Sequence, residues 1–215
     1  MMKLNLQQFA APGLTTALRA DTFDNLQLNA GVFLKNFTIE GTGAPTSAGA
    51  LKTALATAIA NGDSLGATRG GGNYNVTRER RTPDIDGMRY PFVGGEFVDS
   101  ADAYLASTLV EATPENFVLA LGAATKATSG NVTTITINTA YQDSDYLENL
   151  VWVGDLADGR LVCIVLYNAL NTADLQFTFT DKNEGTLGVE FHAHQAAVDD
   201  YDEAPSKVIF FDVAT

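Results

Sequence analysis

The sequence contains few residues of the kinds that perform chemistry. Its 215 residues include one cysteine, Cys163, and two histidines, His192 and His194. A single cysteine excludes a disulfide within the chain, and its position in the apolar run 161–166 predicts a small buried side chain. The Gly-x-Ser-x-Gly motif of serine hydrolases is absent. We therefore expect that the protein is not an enzyme.

Basic residues are also scarce, since 13 lysines and arginines stand against 26 acids, for a net charge of −13. Such a field repels the phosphate backbone of nucleic acids, so a DNA-binding domain is excluded. No stretch approaches the roughly 18 apolar residues of a membrane span, and no membrane partner is expected. The apolar run near the N-terminus is cut by Asn5, Gln7 and Pro12. Residues 1–25 are therefore predicted to be an arm rather than a signal peptide.

Three sequence patterns could indicate a cofactor or metal site, and each has a simpler interpretation. The glycine-rich stretch 66–72 lacks the Gly-Lys-Ser/Thr ending of a phosphate loop and precedes a strand, so it predicts a flexible connector. His192 and His194 share one face of a predicted strand, but there is no third histidine and Cys163 is expected to be buried, so a further ligand would have to be Asp or Glu. The acidic runs lack the spacing of a calcium loop; they are Asp143, Asp145 and Glu148, and Asp199, Asp200, Asp202 and Glu203. We expect no cofactor and no metal.

Alternation of apolar and polar residues dominates the chain and predicts nine or ten strands. Strands are expected at residues 26–37, 74–79, 90–98, 103–111, 132–137 and 207–213, and in the block 146–195, with a polar loop at 123–131. Within that block Asp158-Gly159 predicts a hairpin turn of type I′. A helix is expected at residues 50–60, with Leu51, Leu55 and Ile59 on its buried face, and a shorter one begins after Thr113.

These elements predict a mainly β protein, a β-sandwich or open barrel with one flanking α-helix. A long extended hairpin is expected at residues 72–98, turning at Asp86-Gly87. Residues 26–196 form the β domain, and residues 197–215 form a C-terminal strand or arm. The basic cluster Arg69, Arg78, Arg80 and Arg81 could contact phosphate or make salt bridges between subunits. The second is favoured because the molecule is so acidic.

Several segments together resemble the major tail protein, or tail tube protein, of long-tailed, non-contractile phages of Gram-positive bacteria. The likeness covers about residues 26–196, and the leader 2–7 also resembles those of phage structural proteins. The segments are 28–35, 65–72, 113–116, 120–123, 148–155, 168–172, 184–187 and 191–195.

The resemblance implies a β-sandwich-like subunit that assembles into hexameric rings, which stack into a tube. Strands from each subunit would line a continuous inner barrel, with Arg69, Arg78, Arg80, Arg81, Asp86 and Gly87 as candidate lumen or intersubunit residues. A tape-measure protein and tail completion proteins would be partners, and DNA would pass through the lumen without specific binding. The protein would be assembled in the host bacterial cytoplasm and located in the virion tail.

A second function stays open from the residues alone. A β-sandwich of this size could be a binding module, such as an adhesin or a carbohydrate-binding domain. An exposed platform of aromatic side chains would favour it, whereas ring or tube formation would favour the tail tube.

Overall fold

The computed structural model describes Arg19, residues 21–196 and residues 204–213. Most of the predicted N-terminal arm, the acidic run at 199–203 and the end of the C-terminal arm lie outside this part of the chain. Within it, ten strands and two α-helices are formed, so the mainly β fold is confirmed. The strands are β1 (Val32–Lys35), β2 (Thr68–Arg81), β3 (Phe97–Leu109), β4 (Ala124–Ser129), β5 (Val132–Ile137), β6 (Leu147–Asp155), β7 (Leu161–Asn171), β8 (Gln176–Thr178), β9 (Thr186–His192) and β10 (Ser206–Phe211).

Eight of these strands form one antiparallel sheet, in the order β1-β6-β7-β9-β3-β2. Strand β10 pairs with β7, β8 pairs with β9, and β4 and β5 form a separate two-stranded sheet. The sheet has two halves, one formed by β1, β6, β7 and β10 and the other by β2, β3, β8 and β9. Strand β7 joins them, because its first part pairs with β6 and β10 while Leu170 and Asn171 pair with β9. Near the change of partner Asn168 has a φ of 46°, which breaks the extended backbone.

Alternation along the strands divides their side chains between two apolar clusters. In β6, Leu150 packs between the two halves of the sheet, and its neighbour Val151 packs on the opposite side. The first cluster also contains Leu105 of β3 and Phe191 of β9, so the two halves face each other as a sandwich. The second cluster contains Leu51 of α1 (Ala48–Asn61), so the helix covers the outer side of one half.

Helix α2 begins after the predicted Thr113, whereas α1 begins at Ala48, two residues before the predicted start, and ends at the predicted glycine. Ser47 accepts a hydrogen bond from the Ala50 N–H at the start of α1, and Gly62 ends it with a φ of 84°. Helix α2 (Pro114–Leu121) follows Thr113, whose side chain accepts from the Asn116 N–H. The predicted buried stripe of α1 is wrong at one position, since Ile59 is 48% exposed while Ala58 is buried.

Three predicted segments differ from the structure. The first strand covers only Val32–Lys35 of the predicted 26–37, because Gly31 adopts a φ of 70° and interrupts the extended chain. Residues 90–96 form turns rather than a strand, since Pro91 and the Gly94-Gly95 pair break the ladder. The predicted polar loop at 123–131 instead contains β4, which pairs with β5 across a turn at Gly130.

The turn at Asp158-Gly159 connects β6 and β7 as predicted, but it is not of type I′. Gly159 has a φ of 90°, whereas Asp158 has a negative φ. The Gly159 N–H donates to the Leu156 carbonyl, and the Leu156 N–H donates to the Arg160 carbonyl. A turn followed by one left-handed glycine is the longer hairpin connection, in which the glycine forms a bulge.

Candidate functional site

The longest paired element is the hairpin of β2 and β3, which contains all six residues predicted as lumen or intersubunit contacts, Arg69, Arg78, Arg80, Arg81, Asp86 and Gly87. The two strands pair from Thr68 with Leu109 to Arg81 with Phe97. The turn at Asp86-Gly87 is present, with the Met88 N–H donating to the Ile85 carbonyl and Gly87 at a φ of 87°. A long hairpin is therefore formed, but its second strand is 97–109 rather than 90–98, and residues 82–96 form the connection between the strands.

Burial divides this hairpin into two parts. We call residues 68–75 and 102–109 the hairpin root, because Leu105 and Leu109 of this part lie in the core. We call residues 76–101 the distal hairpin. None of its residues is buried, and only Pro83, Met88 and Gly95 are half-buried. Both faces of the distal hairpin are therefore open to a partner.

The distal hairpin contains four of the seven arginines of an acidic protein, together with five carboxylates. Arg78 and Arg80 lie on one face, opposite the small or apolar residues Ala101 and Val98 of β3. Within the described part of the chain, neither arginine forms an ion pair. Their charges are consequently available to carboxylates of another molecule.

The other predicted site residues are distributed along the hairpin rather than brought together. Arg81 lies on the opposite face from Arg80, and its Nε is 3.1 Å from Asp99 Oδ2. Arg69 lies at the start of β2 and pairs with Glu184. Both ion pairs are made within one chain, whereas Arg78 and Arg80 have no ion pair in the described part of the chain, so intersubunit pairing stays a prediction that suits these two arginines best.

The stretch 66–72 is not the flexible connector that its glycines predicted, because residues 68–72 belong to β2. Gly70 and Gly71 have φ values of 74° and 73°, and the register between Thr68 and Gly72 is shifted. The glycines therefore form a bulge at the start of the strand. Gly72 also allows close packing, since a Cβ there would be 2.6 Å from the Ala106 carbonyl oxygen.

The loop at the end of the distal hairpin exposes large apolar side chains. Tyr90 is 82% exposed, Phe92 59% and Ile85 51%. Ile85, Met88 and Phe92 enclose a small cavity of about 210 Å³ together with Phe97. Sequence reasoning missed this cluster because it assigned residues 90–98 to a strand. The Pro91 and Gly94-Gly95 signals could have identified the loop.

On the outer face of the sheet, a histidine lies between two carboxylates. His192 Nδ1 is 2.8 Å from Asp102 Oδ1, and its Nε2 is 3.1 Å from Glu190 Oε1. The Tyr104 ring stacks on the imidazole with 4.9 Å between centroids. Burial opposes protonation, but the hydrogen bonds to Asp102 and Glu190 outweigh it, so the pKa of His192 is raised.

His194 does not join His192 in a shared site. It lies beyond the end of β9, where its Nδ1 is 3.1 Å from the Asn168 carbonyl and its ring contacts Tyr146. Among the described residues, no group of three or more His, Cys, Asp or Glu side chains is placed to hold a metal ion. Cys163 is fully buried, and burial raises the pKa of its thiol to about 12.

Strand β2 ends the sheet, and its outer edge is unpaired along 14 residues in the described part of the chain. At the opposite end of the order, β1 has only four residues. An open edge presents backbone N–H and C=O groups that can pair with another chain. In these described ranges no helix is long and apolar enough to cross a membrane.

No protein-family model matches this chain, and no match was found among curated proteins.

Proposed function

We propose that this protein is the structural subunit of a phage tail tube of the non-contractile kind. The observation that carries the proposal is the 14-residue outer edge of β2, continued by a distal hairpin without buried residues. Soluble monomers usually protect such an edge with short strands, prolines or a covering element. A long open edge is therefore expected in a subunit whose edges pair on assembly.

Edge pairing would join identical copies head to tail. Strand β2 lies at one edge of its half of the sandwich, next to β3, and β8 lies beyond β9 at the other edge of that half, while β10 flanks β7 in the other half. Contacts between two different surfaces of the same chain form a ring when the rotation closes. Hexameric rings that stack into a conduit for the genome are the assembly that the resemblance implies.

The face of the sheet that points away from the core suits the lumen of such a tube. It carries Glu79, Asp102 and Glu190 on neighbouring strands, with His192 between the last two. Carboxylates repel DNA phosphates, so DNA would pass without binding. The tape-measure protein would occupy the lumen before DNA, and tail completion proteins would close the ends. The subunit would have no enzymatic activity and no cofactor, and it would be part of the virion after assembly in the host cytoplasm.

Electron microscopy of the purified full chain at rising concentration tests the proposal. Rings and then tubes of constant diameter are expected. Isolated particles at every concentration, together with binding to glycans, would instead support the alternative of a binding module. The exposed Tyr90 and Phe92 keep that alternative open, because aromatic faces also bind sugars.

A charge-reversal experiment tests the distal hairpin specifically. Arg78→Glu combined with Arg80→Glu should abolish rings, since these side chains are exposed and lack ion pairs within the described part of the chain. The matched control is Lys52→Glu combined with Lys182→Glu, which makes the same change of net charge at exposed positions outside the hairpin. Equal loss of rings in both variants would show a general effect of charge and contradict a role for the two arginines.

A further inference from the structure

A groove with apolar walls and a polar rim of Gln27, Asn29, Thr68 and Asn73 opens on one side of the sandwich, where β2 begins. Its volume is about 560 Å³, and its apolar walls are Phe33, Tyr74, Leu105, Trp152 and Ile164. Phe33 and Leu105 belong to the buried core, so the groove reaches into the space between the two halves of the sheet. Protein cores are close-packed and leave few voids larger than a water molecule, so a groove of this size is suited to receive apolar side chains.

The bulge in β2 forms the mouth of this groove. Gly70, Gly71 and Gly72 line it, and a Cβ added at Gly70 would meet no other atom within 4 Å. The absence of side chains on this part of the edge strand leaves its backbone accessible. An extended segment could therefore place apolar side chains in the groove while it pairs with the edge of β2.

The first 18 residues of the chain have the composition that such a site requires. Ten of them are apolar and Lys3 is the only charged residue. Segments that stay in solvent have low hydrophobicity and high charge instead. Leu4 and Leu6 alternate with Lys3, Asn5 and Gln7, a pattern that would place both leucines on one face of an extended chain.

The groove's own chain leaves it in the opposite direction. Gln27 and Asn29 lie at the rim, but Gln27 then bridges to Leu156. Just before it, the Asn25 side chain accepts a hydrogen bond of 2.6 Å from Arg160 at the turn between β6 and β7. Followed towards the N-terminus, residues 27 to 25 therefore lead away from the groove to this turn. This direction favours an occupant supplied by another copy.

We propose that residues 1–18 of one copy dock in this groove of a neighbouring copy and pair with the edge of its β2. The contact would connect subunits through an apolar anchor, in addition to the ionic contacts of the distal hairpin. It rests on the proposed assembly of identical copies, and it specifies the surface and the segment that join them.

Cysteine cross-linking of full-length chains tests the proposal. One variant carries Leu6→Cys and the other Ala30→Cys, at the exposed rim of the groove. The native Cys163 is buried and should therefore not form cross-links. Mild oxidation of the mixed variants should give roughly ten times more mixed dimer than Leu6→Cys with Ser129→Cys, since docking raises the effective concentration of the two thiols. Ser129 is exposed on the hairpin of β4 and β5.

Equal yields from the two mixtures would overturn the proposal. So would a double variant, Leu6→Cys with Ala30→Cys, that cross-links only within its own chain when diluted with unmodified protein. Micrographs of the same samples separate this test from the proposed function. Rings without the cross-link contradict only the docking, whereas the cross-link without rings contradicts only the tail tube.

Trp152 provides a second measurement, because it is the single tryptophan and lines the groove. Leu4→Asp combined with Leu6→Asp should shift the Trp152 emission to longer wavelength in assembled samples, since the indole side chain would become more hydrated. Asn5→Asp combined with Gln7→Asp adds the same charge on the other face and should leave the emission unchanged. An identical spectrum for both pairs of substitutions would contradict the docking.

Discussion

The hairpin root and the distal hairpin are parts of the same two strands, yet they differ in what stabilises them. In the root, Leu105 is 2% exposed and packs against both halves of the sandwich. In the distal hairpin, Val98 is 55% exposed, and the backbone ladder has little side-chain packing to support it. An isolated two-stranded hairpin is marginally stable in water. A continuous ladder with little side-chain packing therefore indicates a segment that gains its stability from a partner.

Amide hydrogen exchange should show the largest difference between the two parts. Amides of the root should exchange only on global unfolding, which costs about 5–15 kcal/mol in typical domains. Amides of the distal hairpin should exchange by local opening at far lower cost. In assembled protein the distal amides should become protected, while those of β6 stay unchanged. Equal protection of the distal amides in both states would show that this part is stable by itself.

Side-chain truncation within one strand should show the next largest difference. Leu105→Ala should lower the free energy of unfolding by about 2–5 kcal/mol, because it leaves a cavity in a packed core. Val98→Ala should change it by less than about 1 kcal/mol, because exposed positions contribute little. Denaturant unfolding of the unassembled protein measures both. A cost for Val98→Ala close to that of Leu105→Ala would remove the distinction between root and distal hairpin.

This distinction could not be predicted from the sequence, although the strands themselves could. Tyr74, Val76 and Arg78 alternate with polar residues, and that alternation located β2. The same alternation appears in a half-buried strand and in one exposed on both faces, since it records which residues share a face. Exposure depends on where the sandwich ends, and this depends on pairing with β9, which is distant in the sequence.

The capping residues and turns were predicted more fully than the candidate sites. Thr113, Pro114 and Gly122 act through the local backbone, so they located α2 from the sequence alone. The groove could not be found in this way, because Ala30, Gly71 and Trp152 are brought together only by the folded sheet. The ion pair of Arg69 was missed for the same reason, since Glu184 is more than a hundred residues away.

His192 lies where the root meets the distal hairpin, and it should make the stability of the root depend on pH. Because the folded pKa is raised, the stabilisation is fully present below the unfolded pKa of about 6.5. It is lost as the pH rises through the folded pKa. The free energy of unfolding should therefore decrease as the pH rises from about 6.5 through the folded pKa, and His192→Gln should reduce this decrease.

His194→Gln is the control for this prediction, because His194 contacts a backbone carbonyl and an aromatic ring instead of carboxylates. The same decrease with pH in the wild type and in His192→Gln would contradict the assignment. Asp102 belongs to β3 and Glu190 to β9. A confirmed effect would therefore show that the stable part of the sheet includes the contacts of His192 with both strands.

Removing the ion pair of the distal hairpin should have the smallest effect. Arg81 and Asp99 are both largely exposed, and such pairs contribute about 0.2–1 kcal/mol. Arg81→Gln should therefore change the free energy of unfolding of the unassembled chain hardly more than Arg78→Gln, which removes no ion pair within the described residues. A clearly larger cost for Arg81→Gln would mean that the distal hairpin is held by its own side chains. Near-equal small costs would leave pairing with another copy as the main source of its order.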